Sequence, residues 1–112
     1  MALPETDVAR IARWCRARVP QAVRDQVRVE ADVADRYVTI VECRPPWGAN
    51  PGLEWTRFPI AQLRYTNASK RWSLYWMDRN LRFHVYDQVP ATDTVEELLA
   101  EVGRDPTAIF WG

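Results

Sequence analysis

Glycine is scarce in this sequence, with four residues in 112. So few leave no room for a phosphate-cradling P-loop or a dinucleotide-binding glycine fingerprint. Histidine is scarcer still: His84 stands alone, and the only cysteines are Cys15 and Cys43. One His and two distant Cys cannot supply the usual four ligands of a zinc site. Two Cys cannot form a disulfide framework either, and both read as reduced thiols. No metal and no cofactor is therefore expected. Lysine occurs once, at Lys70, against 14 arginines. Apolar runs stop at about four residues, as in Ala108 to Trp111, where a membrane-spanning helix takes about 20. Pro4, Glu5 and Asp7 interrupt the first ten residues, unlike a secretory signal peptide. The expectation is a cytoplasmic chain with no membrane partner.

What is present fits one small α+β domain over residues 1–112. Apolar residues make up 47%, and 15 basic residues balance 15 acidic ones. That composition excludes a disordered tail, a collagen-like chain and a coiled coil. Six tryptophans are many for this length. Trp serves cores, interfaces and base-stacking platforms alike, so the count alone does not choose among them.

Val8, Ile11, Ala12, Cys15 and Val19 recur at the spacing of one buried helix face, and Pro20 stops that helix. Cys15 lies on this stripe and reads as a small core residue. Val27, Val29, Ala31 and Val33 then alternate with polar residues, which predicts a half-buried strand. A turn near Ala34-Asp35 leads into a β-branched run from Arg36 to Arg44. A two-residue turn there predicts Val29 opposite Ile40 and Ala31 opposite Val38. Residues 44 to 55 hold three Pro and two Gly and must be a loop. A strand over Arg57 to Thr66 follows, with Pro59 near its start or at an edge. Arg71 to Met77 and Arg82 to Asp87 predict a hairpin with Trp76 beside His84, Leu74 beside Tyr86 and Tyr75 beside Val85. Thr94 and Glu97 have capping-box spacing, ahead of the apolar stripe Val95, Leu98, Leu99 and Val102. Gly103 suits a left-handed residue closing that helix. The expected fold is an N-terminal helix, a five-stranded antiparallel sheet (a hairpin plus a three-stranded meander) and a C-terminal helix.

Several of these segments are similar to a known pattern. Arg44-Pro45-Pro46-Trp47-Gly48, Trp55-Thr56-Arg57 and Leu63-Arg64-Tyr65 form its first block. Tyr75-Trp76-Met77-Asp78-Arg79-Asn80, Phe83-His84, Tyr86-Asp87 and Phe110-Trp111-Gly112 complete it. Together they resemble the domain of unknown function 3024 family, over nearly the whole chain. The resemblance implies a bacterial origin and no assigned activity, and it supplies no catalytic residues. The family pattern has Gly where this chain has Leu81. A left-handed turn residue there would strain a leucine.

His84 with Asp78 or Asp87 could form a general base and its orienting carboxylate. No Ser or Cys nucleophile sits in a recognisable motif beside them, and Cys43 is the best-placed thiol. Charge segregation is the stronger signal. Residues 57–84 carry six basic side chains against Asp78 alone, a net of +5, and residues 85–112 carry a net of −5. The basic block interleaves Arg57, Arg64, Arg71 and Arg82 with Trp72, Trp76 and other aromatics. Such interleaving on strands is the footprint of single-stranded nucleic-acid binding by stacking. The plainer reading is that the acidic C-terminal helix neutralises the basic strands inside the fold or across subunits. The sequence thus points to a non-enzymatic binding or regulatory module. Its candidate contacts are Trp47, Trp55, Arg57, Arg64, Arg71, Trp72, Trp76, Arg82 and His84. A small hydrolase or nuclease built on His84, and a structural homodimer, are the alternatives.

Overall fold

The computed structural model describes residues 3–46 and 54–111. Trp47, the first aromatic of the Pro-rich loop, lies outside the described residues, and so does the centre of that loop. Helix α1 spans Glu5–Arg18, a short 3-10 turn covers Gln21–Val23, and helix α2 spans Val95–Arg104. The strands are β1 (Arg28–Val33), β2 (Tyr37–Arg44), β3 (Thr56–Thr66), β4 (Arg71–Met77) and β5 (Phe83–Val85). They form one antiparallel sheet in sequential order, β1 to β5. The expected α+β architecture is therefore the observed one.

The apolar stripe of α1 buries Ile11 and Cys15, and α2 buries Val95, Leu98, Leu99 and Val102. Both stripes pack with Val29, Val38, Ile40, Ala61, Leu63 and Leu74 of the sheet in one core cluster. The fully buried Trp72 joins them, and its indole N–H donates to Asp7 of α1 at 3.0 Å. That bond satisfies the one polar atom of a core tryptophan.

Three local expectations need correcting. Ala31, not Val29, lies opposite Ile40, and Val33 lies opposite Val38. The two-residue turn sits one residue later than expected, at Asp35-Arg36, and closes with Ala34 N–H donating to the Tyr37 carbonyl. Thr94 makes no side-chain cap. Glu97 instead accepts from the Thr92 hydroxyl at 2.7 Å, and Thr92 accepts from the Thr94 N–H. Gly103 is still helical, and the left-handed residue closing α2 is Asp105, with φ 45°.

Pro59 falls near the start of β3, one of the two places expected, although that strand is central in the sheet. It is tolerated because the β2–β3 register slips between Ile40 and Val41, leaving Ile60 as a bulge. The β3–β4 ladder begins only at Ala61, so no bond to β4 is lost for want of a proline N–H.

Candidate functional site

Directly opposed residues of an antiparallel sheet share a face. One transverse row runs Ala31, Ile40, Ala61, Trp76 and His84, on the side covered by the helices. The next row runs Asp32, Thr39, Gln62, Tyr75 and Val85, on the other side. Tyr37, Arg64 and Ser73 form a second row on that other side, and Thr66 and Arg71 a third. The candidate residues are thus divided. Arg64 and Arg71 belong to the helix-free face, Trp76 and His84 to the covered one, and Trp72 is enclosed in the core with no surface to offer.

The helix-free face carries a connected polar ladder. The Gln62 amide donates to Thr39 Oγ1 at 3.0 Å, and its oxygen accepts from Arg64 Nε at 2.6 Å. This bonding accommodates Gln62, the one uncharged polar residue buried in the described structure. The Arg64 guanidinium then lies over the Tyr75 ring, 3.9 Å from its centroid. No carboxylate among the described residues is within ion-pair range of Arg64. Around this stack a depression of about 540 Å3 is lined by Asp35, Arg36, Tyr37, Arg64, Thr66 and Tyr75, among others. Tyr37 is exposed at its edge.

Arg57 has a different role. It bridges Glu30 at 2.7 Å and Asp32 of β1, and its Nη1 lies 3.5 Å from Cys43 Sγ. These partners hold its pKa above the ordinary arginine value, the bond to Asp32 first. Its charge is spent inside the sheet surface. Cys43 is buried beneath it, and burial, followed by the Glu30 charge, pushes the thiol pKa up. Cys15 is pushed up to about 12, chiefly by burial. Neither is a thiolate at neutral pH, so neither is an activated nucleophile.

Trp55 is half-buried and stacks on the Arg28 guanidinium, 4.1 Å from its centroid. His84 is exposed, with Nε2 2.6 Å from Asp78 Oδ2 and its ring 4.9 Å from that of Trp76. Asp87 takes no part in this pair and accepts from Gln88 instead. Arg82 lies in the tight connection beside Asp78, its backbone N–H bonded to that carboxylate.

Among the described residues of the chain, no ion pair joins the acidic block to the basic strands. Glu96 of α2 pairs with Arg10 of α1 at 3.4 Å. The buried Glu101 binds its own Arg104 and the Tyr86 hydroxyl. Sequence reasoning singled out Arg64 but missed its neighbours Tyr37 and Gln62. Both alternate correctly for this face, yet alternation does not say which face the helices leave bare.

Fold and site together define a small α+β protein with two helices on one side of an antiparallel sheet and a basic, tyrosine-bearing surface on the other. A family model described as "Domain of unknown function (DUF3024)" matches residues 2–112, and the chain belongs to that family. No curated protein and no solved structure is detectably similar to it. No described helix is long and apolar enough to cross a membrane.

Proposed function

We propose that the protein is a non-enzymatic binding module whose helix-free sheet face takes single-stranded nucleic acid. The observation that carries this reading is the Arg64 guanidinium, held over Tyr75 by Gln62 with no carboxylate partner among the described residues. A planar cation fixed in this way offers a stacking surface to a base and a charge to a phosphate. Tyr37 beside it supplies a second ring, and Arg36 and Arg71 extend the positive surface. The acidic residues of α2 pair elsewhere, Asp32 on this face is taken up by Arg57, and Asp35 at the depression stands against Arg36, Arg64 and Arg71.

Fluorescence anisotropy with a labelled single-stranded oligonucleotide tests it. Affinity should fall linearly in log–log form with salt. Arg64→Gln should flatten that slope by roughly one phosphate contact. Tyr37→Ala should weaken binding by about 1–3 kcal/mol per stacked base. Absence of binding at low salt, or binding indifferent to salt, refutes the reading.

The hydrolase alternative draws on one contact, His84 to Asp78. A general base contributes about 10²–10⁴-fold. A loss of that size in His84→Ala, with the fold intact by circular dichroism, would favour it.

A further inference from the structure

A second cationic site lies away from this face, where α1 meets β1. Its cavity of about 330 Å3 has Cys15, Val19 and Val29 as an apolar floor, all three buried. Arg16, Arg24 and Arg28 stand around it. The Arg24 guanidinium donates to the carbonyls of Arg16 at 2.6 Å and Val19 at 3.4 Å, which fixes it over the last turn of α1. Arg28 Nε donates to the Arg24 carbonyl at 3.0 Å, and its guanidinium lies over the Trp55 ring.

Carbonyls and an aromatic face hold Arg24 and Arg28 in place without cancelling their charge, and Arg16 adds a third cation beside them. No carboxylate among the described residues pairs with any of the three. The one acid at the cavity, Glu30, is already bridged to Arg57. Much of the ordering entropy that a flexible arginine loses on binding has therefore been lost on folding.

We propose that this cleft binds a small organic anion, a carboxylate on a short apolar chain. A bare inorganic anion would set its hydration shell against an apolar floor, and a neutral apolar molecule would leave three cations without a partner. An amphipathic carboxylate matches both parts. The volume lies at the small end of ligand cavities, which span about 300–1,000 Å3.

The test is a ¹H–¹⁵N correlation titration of the whole protein with octanoate, with octanol and acetate as controls. Saturable octanoate shifts centred on the amides of Cys15, Val19 and Val29, and none from either control, are the expected result. The Arg16→Gln/Arg28→Gln double variant, which keeps Arg24 on the end of α1, should bind octanoate at least roughly tenfold more weakly, since charged hydrogen bonds are lost. Equal shifts from octanol or acetate would overturn the proposal. So would octanoate shifts centred on Arg64 and Tyr75, or none that saturate below its micelle formation. The oligonucleotide assay reads the other face, so either result can fail alone.

Discussion

The imidazole Nε2 of His84 stands 2.6 Å from the Asp78 carboxylate, and that carboxylate already holds the turn it belongs to. Asp78 Oδ1 accepts the backbone N–H of Asn80 at 2.8 Å and of Arg82 at 3.0 Å. The pair thus closes the β4–β5 hairpin, with His84 binding across from the second strand. An exposed histidine tied to a turn residue has a structural explanation before any catalytic one.

The hydrogen bond from His84, then those from the Arg82 and Asn80 backbone, hold the Asp78 pKa below its usual 3.8. A carboxylate depressed in the folded state contributes stability above its unfolded value and loses it as pH falls through the folded value. Urea midpoints of the wild type should therefore decline more steeply than those of Asp78→Asn below about pH 4. At neutral pH the variant should be the less stable. Parallel acid limbs for the two proteins would show that the carboxylate contributes nothing.

Leu81 occupies the same turn at φ 64° and is two-thirds exposed. A left-handed conformation costs an ordinary residue roughly 1–2 kcal/mol. Glycine adopts it freely but gains about 0.4–1 kcal/mol of unfolded-state entropy. Leu81→Gly should then stabilise the protein by about 0.5–1 kcal/mol, seen as a higher melting temperature. A lower one would mean that the leucine side chain holds the hairpin.

Leu81 also shows what the sequence made legible. Its departure from the family pattern marked the strained position, because one residue type and one backbone region are linked by sterics. Element order followed from periodicity for the same reason. The first hairpin's register did not: pairing Ile40 with Val29 or with Ala31 buries the same face, and the two differ only in whether the two-residue turn falls at Ala34-Asp35 or at Asp35-Arg36. Trp72 was misjudged because β4 carries aromatics on both faces, at Trp72, Trp76 and Tyr75. Which face is the core depends on where α1 and α2 dock, and that is a long-range contact. The Ile60 bulge leaves no mark on the alternation of a strand that begins with a proline.

Tyr86 donates to the buried Glu101 at 2.7 Å, and burial followed by that bond raises the Tyr86 pKa. Removing the hydroxyl in Tyr86→Phe leaves Glu101 with Arg104 alone. A loss of about 1–3 kcal/mol is expected from a partner stranded in the interior. Chemical denaturation of Tyr86→Phe, Glu101→Gln and the double variant measures the coupling. Additive effects would deny any interaction between the two.

Asp105 governs the end of the described chain. It takes φ 45° and ψ 57°, so α2 closes and the backbone turns back. Its Oδ1 accepts the N–H groups of Ile109 at 2.9 Å and Phe110 at 3.0 Å, and Oδ2 that of Trp111 at 2.9 Å. Three donors converging on one carboxylate hold the segment that carries the aromatic pair. Phe110 is then buried against Tyr86, with ring centroids 5.0 Å apart. The Trp111 indole donates to the Val102 carbonyl at 2.8 Å and lies under the Arg18 guanidinium. The C-terminal aromatics thus dock on their own chain. Bend and carboxylate can be separated, because glycine keeps the left-handed backbone without the side chain. Asp105→Gly should cost about 1.5–3 kcal/mol, the range for hydrogen bonds to a charged group. It should also shift tryptophan emission to the red as Trp111 meets water. Asp105→Asn retains one acceptor oxygen and should fall between. If Asp105→Gly melts at the wild-type temperature with unchanged emission, the apolar contacts of Phe110 hold the tail unaided. Phe110→Ala would then account for its docking, at about 3–5 kcal/mol.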